Sequence, residues 1–188
     1  MKTVVLYIKN MVCDRCIAAV KQTLNDMQIP VLDIDLGKVT IPNQDIDQQK
    51  LNKALSQIGF ELLQDKNDII SAQVKAILIE LIHYRTDDTK INYSDYLKER
   101  LNMDYAVISK IFSKTEGLTI EKFIILQKIE KVKELIDYGE LNFSEIAYKL
   151  QYSSVSHLSR QFKKVTGLTL SQYKNQSDSK RNSLDRIQ

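Results

Sequence analysis

Residues 91–124 of this chain recur as residues 141–174. The two segments align without a gap; eight positions are identical and seven more exchange close relatives such as Ile/Leu, Phe/Tyr and Lys/Arg. Two copies are too few for a solenoid, which needs at least about three repeats to close its core. What remains is a duplicated supersecondary unit, and each copy reads as helix, break, longer helix. Asn142 with Glu145 at the third position after it forms a capping signature, which Asn92 and Asp95 repeat less well. Gly167 ends the longer helix and Thr169 caps the next one; Gly117 and Thr119 do the same in the first copy. Predicted helices are Phe143–Leu150 and Ser154–Val165. Thr119 to Tyr138 reads as one continuous helix before Gly139.

A short helix, a tight turn and a longer helix with an exposed basic face is helix-turn-helix organisation. At about 1.5 Å per residue the connecting helix spans roughly 30 Å. Successive major grooves on one face of B-DNA lie about 34 Å apart, so two recognition helices joined this way are one turn apart. Charge divides the copies. Positions 144–174 hold five Lys/Arg against one acid, whereas 94–124 are balanced. Residues 1–66 carry eight of each sign, so the net charge of +3 belongs to 67–188.

This half resembles the AraC/XylS family of transcription regulators over residues 71–174. The motif is carried by Glu145-Ile146-Ala147, Tyr152-Ser153-Ser154, Leu158 to Gly167, and Tyr173-Lys174. Three positions depart from it. Gln151 stands where a turn glycine is usual, His157-Leu158 replaces a common Tyr-Phe, and Leu170 replaces a proline. Leu158 and Phe162 point to the core on helical spacing, so Ser156, Ser159 and Arg160 point outward. Arg160 is the expected base reader, because a guanidinium can bond guanine O6 and N7 together. Lys163 and Lys164 are expected phosphate clamps. The DNA-facing set is thus Ser156, His157, Ser159, Arg160, Lys163 and Lys164 in the second copy and Ser109, Lys110 and Lys114 in the first. Asp104 and Glu116 lie near the first surface, so the second unit is expected to bind more strongly. The copies agree least across Tyr96–Ala106, where the alignment is open to a one-residue shift.

Residues 1–66 read differently. Thr3–Ile8 is a β-rich strand, Cys13–Met27 a helix, Val31–Asp35 and Val39–Ile41 a hairpin about Leu36-Gly37-Lys38. Asp45 or Asp47 caps a helix closed by Gly59, and Phe60–Leu63 is a last strand. The order βαββαβ is that of a ferredoxin-like split unit. Cys13 and Cys16 fall where the first strand meets the first helix. A helix N-terminus favours the thiolate, and two thiolates at this spacing can face one soft ion. Met11 to Cys16, with Gly59-Phe60 before the last strand, resembles the heavy-metal-associated domain of copper chaperones and metal ATPases. That family's loop opens Gly-Met-Thr-Cys; here Asn10 and Val12 replace the glycine and threonine. The resemblance implies Cys13 and Cys16 as ligands and Met11 as a buried anchor. A domain kept as scaffold with idle cysteines is the competing reading. A thioredoxin-like oxidoreductase fits less well, since neither Pro30 nor Pro42 stands against the pair.

The expected fold class is an α+β ferredoxin-like domain over 1–66, then an all-α double helix-turn-helix domain over 67–174, then a disordered tail over 175–188. A helix over Ile69–Tyr84 joins the two, with His83 partly exposed at its end. No apolar run reaches the roughly 18–20 residues of a membrane span, and Met1–Lys9 reads as a strand, not a leader. The expected compartment is therefore the cytoplasm, where Cys-x-x-Cys is a metal or redox site. Double-stranded DNA is the expected partner, with RNA polymerase beside it, and copper or zinc the expected soft metal. A metal carrier whose helical half docks a protein partner is the alternative. An enzyme is not expected, because the two histidines, His83 and His157, stand apart and neither a paired acid–base site nor a phosphate loop is present.

Overall fold

The computed structural model describes residues 2–84 and 91–176. Residues 177–188, most of the tail, lie outside the described residues. Four strands and nine helices succeed one another along those residues: β1 (Thr3–Lys9), α1 (Asp14–Asp26), β2 (Asp33–Asp35), β3 (Lys38–Pro42), α2 (Gln48–Gln57), β4 (Glu61–Leu63), α3 (Lys66–Ile79), α4 (Tyr93–Leu101), α5 (Tyr105–Glu116), α6 (Ile120–Tyr138), α7 (Phe143–Lys149), α8 (Val155–Thr166) and α9 (Leu170–Lys174). A π-turn over Glu80–Tyr84 extends α3.

The strands form one antiparallel sheet in the order β2-β3-β1-β4. Alternation sets its faces. Leu6, Ile8, Val39 and Ile41 point to one side, where Val20 and Leu24 of α1 and Leu51 and Leu55 of α2 cover them. Asp47, not Asp45, caps α2 by accepting from the Lys50 N–H. At the end of the sheet, where β1 runs into the loop that carries Cys13, α3 comes close: an ideal Cβ on Gly37 would stand 3.6 Å from Ala76 Cβ. Gly37 has φ +77°, so the turn favours glycine there, while an added Cβ would meet Ala76 only in ordinary contact.

The repeat seen in the sequence is present in the packing, and it extends beyond the aligned segments. Phe112 of α5 meets Phe123 edge-on at 5.6 Å; at the same places in the second copy Phe162 meets Tyr173 the same way at 5.5 Å. Helix α3 serves the first unit as α6 serves the second. Val74, Leu78 and Ile79 close a core with Leu97, Ile108, Phe112, Ile120 and Phe123. Ile129, Val132 and Ile136 close another with Ile146, Leu158, Phe162, Leu170 and Tyr173. Helix α6 is continuous over 19 residues, about 28 Å, and contributes its first turn to one core and its second half to the other. The substitutions Leu158 and Leu170 keep core positions, at 0% and 3% exposure.

Within each unit the turn is where the copies diverge. Both units place N-caps at the same offset, Asn92/Asn142 and Asp104/Ser154. The left-handed residue of the turn is Asn102 in the first and Gln151 in the second, one position short of that offset. The first unit thus has the longer first helix and the second the longer turn. The capping box expected at Asn142/Glu145 forms, whereas Asn92 only accepts from Ser94. One expectation fails at the junction. His83 is buried, not partly exposed, because the π-turn rotates it against α6, where its Nε2 lies 2.9 Å from Gln127 Oε1.

Gln151 has φ +58°. A left-handed side-chain-bearing residue costs about 1–2 kcal/mol, while glycine gains roughly 0.4–1 kcal/mol of unfolded-state entropy. Gln151→Gly is therefore expected to stabilise the fold by about 0.5–1 kcal/mol. A calorimetric Tm equal to or below that of the parent chain would contradict this balance.

Candidate nucleic-acid interface

Helix α8 starts at Ser154, whose side chain accepts from the His157 N–H, and stops at Gly167, which takes φ +78°. Between these caps Leu158 and Phe162 are fully buried. Ser156, His157, Arg160, Lys163 and Lys164 are exposed, and Ser159 is half-buried. Positions 156, 160, 163 and 164 recur at helical spacing, so hydroxyl, guanidinium and two ammonium groups share one strip. Ser159 lies at its margin, short of the fully outward position expected. His157 is held at the helix start: its Nδ1 lies 3.1 Å from Ser153 Oγ and its ring meets Tyr152 edge-on at 5.3 Å. Tyr152 in turn donates its hydroxyl to Gln161 Oε1 at 2.6 Å. The turn before α8 is therefore tied to α8 at two levels.

Helix α5 presents the same strip with weaker chemistry. Ala106, Val107, Lys110 and Lys114 are exposed and Ser109 is half-buried, like its counterpart. The cap differs in sign: Asp104 accepts from the Ala106 N–H, so a carboxylate stands where the second unit has a neutral serine. Phosphate is favoured at helix N-termini by the free N–H groups and the dipole, and a fixed carboxylate there opposes it. Glu116 does not add to that effect. It turns inward, accepting from Ser71 Oγ at 2.6 Å and from Lys75 Nζ at 3.0 Å, and so fastens α5 to α3.

The cysteine loop lies at the other end of α3. Cys13 is the N-cap residue of α1 but its side chain makes no cap bond. Its Sγ lies 3.2 Å from Cys16 Sγ, and both residues are half-buried. Burial raises the Cys16 thiol above its ordinary value, and the neighbouring Cys13 adds to that; a backbone bond at Val12 works the other way. Burial thus outweighs the lowering expected from the helix start. Met11 is buried at 2% exposure and anchors the loop. Val12 packs on the core of the first helical unit, and its carbonyl accepts from Tyr84 Oη at 3.0 Å. Burial first, then the nearby Cys13, pushes the Tyr84 hydroxyl up to about 12, so it stays protonated and keeps this bond at neutral pH. No group of three or more His, Cys, Asp or Glu that could hold a metal occurs among the described residues. Among them, too, no helix is long and apolar enough to cross a membrane.

Sequence reading missed Tyr84, His83 and Lys128 as junction residues. An aromatic residue at a predicted helix end carries no signal of what it will touch, and the π-turn that aims Tyr84 has no pattern of its own.

Residues 97–176 match a family model described as a helix-turn-helix domain. Over 109 residues the chain is 27% identical to the HTH-type transcriptional regulator YtdP of Bacillus subtilis; the match takes in 57% of this chain and 14% of that protein. The chain therefore corresponds to a small part of that relative. The C-terminal domain of AraT, a response regulator from Geobacillus stearothermophilus, superposes with a TM-score of 0.50 at 20% identity, covering 63% of this chain and 95% of that one. The C-terminal domain of the response regulator YesN from Fusobacterium nucleatum is 26% identical, with a TM-score of 0.47, over 55% of this chain and 95% of that domain.

The raised Cys16 thiol has a direct readout. Iodoacetamide labelling at that position, followed by peptide mass spectrometry, is expected to run slower than that of free cysteine at pH 8 and to keep accelerating above pH 9, the ordinary value. A rate already level at pH 8 would mean a lowered thiol pKa. Cap by cap and core by core, then, residues 97–176 form a helix-turn-helix domain.

Proposed function

We propose that the chain is a sequence-specific DNA-binding transcription regulator, with double-stranded DNA as its ligand and RNA polymerase as a further partner. One observation carries the reading. Two helices of the same fold, α5 and α8, present matching exposed strips (Lys110/Arg160 and Lys114/Lys164), and one unbroken helix of about 28 Å holds them. That length suits successive major grooves. The roles divide along the strips: Arg160, with Ser156 and His157, reads bases, while Lys163, Lys164, Lys110 and Lys114 hold phosphates. Ser159 and Ser109 line the margins of the two strips. The Ser153–His157 contact serves, in this reading, to hold the start of α8, and we assign the chain no enzymatic role.

The N-terminal residues 1–66 form, in this reading, a heavy-metal-associated-like domain of ferredoxin-like topology. The sheet order β2-β3-β1-β4 with α1 and α2 on one face supports it. Cys13 and Cys16 would hold a soft ion. Two thiols without a third donor among the described residues suit a monovalent soft ion such as Cu(I) better than zinc, which takes four ligands. Cu(I) would displace both thiol protons, so two thiolates and one monovalent ion would leave the loop with one net negative charge. The chain's own residues supply the coupling: Val12 and Tyr84 connect the loop to the end of α3, and His83 connects that end to α6. Metal or thiol redox state at the loop thereby alters how the N-terminal domain seats on the first unit, and so DNA affinity.

Duplexes recovered from a random-sequence pool by the full chain provide the test. Affinity is expected to fall steeply with salt, by a log–log slope near −0.9 for each phosphate contact. Arg160→Ala should cost about 1–3 kcal/mol and relax specificity at one position, whereas Lys164→Ala should weaken all duplexes alike. Absence of salt-dependent duplex binding would favour a metal carrier with a docking half. Separately, Cys13→Ser/Cys16→Ser is expected to abolish Cu(I) binding and any copper effect on duplex affinity. A copper response that survives both changes would remove the sensor reading and leave the DNA reading intact.

A further inference from the structure

The two helical units do not meet through their cores alone. Lys128, in the middle of α6, places its Nζ 5.4 Å from the centroid of the Tyr93 ring and 5.4 Å from that of Tyr152. The same ammonium donates to the Leu150 carbonyl at 2.8 Å. Tyr93 is the first residue of α4 in the first unit. Leu150 caps α7 and Tyr152 comes after the left-handed Gln151, both in the turn of the second unit. One cation therefore joins three elements that belong to two units. From Tyr152 the contact continues to α8, through its hydroxyl on Gln161 and its ring against His157.

We propose that Lys128 is a positioning residue that sets the orientation of the second recognition helix relative to the first unit, and so selects the half-site spacing that the pair accepts. The inference rests on the DNA-binding reading above for its second part only. An ammonium between two ring faces is attracted to both, and the attraction grows as water is excluded. Leu150 is the C-cap residue of α7, where carbonyls have no helical partner, so its acceptor needs a donor. An apolar side chain of similar size would fill the space but satisfy neither ring nor carbonyl. Lys128 is half-buried, and burial pulls its ammonium down to about 8. A hydrated surface lysine would have no reason to hold one geometry; a desolvated one between rings has little room to leave it. Helix α6 gives the units their separation, and Lys128 gives them their rotation about it.

Two measurements on the full chain test this. In a Cys13→Ser/Cys16→Ser background, spin labels at Ala106→Cys and Ser156→Cys report the distance between the two recognition helices by pulsed electron resonance. The parent is expected to give a narrow distribution and Lys128→Met a broadened or shifted one. Tyr93→Leu, which removes one ring from a different element, should broaden it in part and guards against a Lys128 variant that fails to fold. The second measurement uses a pool-selected duplex with one or two base pairs inserted or removed between its half-sites. The parent should prefer one spacing by tenfold or more, and Lys128→Met should flatten that preference to about threefold or less. An unchanged distance distribution in both variants overturns the proposal. A uniform loss of affinity with the spacing preference intact also overturns it, since that is the mark of a merely structural residue. A broadened distribution in a chain that binds no duplex would leave the clamp standing and remove the DNA reading instead.

Discussion

Most of this molecule depends on one helix being shared by two cores. Ile120 and Phe123 of α6 belong to the first core, and Ile129, Val132, Leu135 and Ile136 to the second. A buried apolar side chain contributes roughly 1.5–3 kcal/mol, so each end of α6 is held by several such contributions. Neither unit can leave its end of α6 without exposing part of its own core. The spacing of α5 and α8 is thus a consequence of burial, and no flexible linker intervenes.

Between those ends the helix is polar inside, at Gln127 and Lys128. That interruption of an apolar stripe is where the other parts attach. Gln127 receives His83 from the π-turn, and Lys131 donates to the His83 carbonyl while pairing with Glu134. Lys128 receives the rings of both units. The mid-section of α6 is accordingly in contact with the N-terminal end of the helical half and with an element of each unit. A change in how the cysteine loop seats would reach α5 and α8 by this path, through hydrogen bonds whose loss each costs about 0.5–1.5 kcal/mol.

The repeat makes much of the fold legible in the sequence. Caps at Asn142, Ser154 and Thr169, stops at Gly117, Gly139 and Gly167, and the core pair Leu158/Phe162 all arise from local chemistry, and local chemistry is what a sequence displays. The strip of Arg160, Lys163 and Lys164 is equally legible, because helical spacing from two core residues leaves little choice. What is not legible is tertiary. The helix start at Cys16 argues for acidity, yet burial beneath its neighbours outweighs it. Glu116 reads as an outer-surface residue, yet Ser71 and Lys75, far away in the chain, draw it inward. His83 reads as a helix end while the segment is taken as α-helix, and its burial depends on a turn geometry that periodicity does not reveal.

That turn has a further consequence. Over Glu80–Tyr84 the chain carries more residues per turn than an α-helix, so each later side chain is displaced about the axis. Wound as ordinary α-helix, at about 100° per residue, the same five residues would turn further about the axis. His83 would leave Gln127 and Tyr84 would leave Val12, with the buried apolar residues of α3 before Glu80 untouched. The register of a single helical turn thus adds two polar ties to the apolar contacts, Val12 on the first helical core and Gly37 beside Ala76, that join the two halves of the chain.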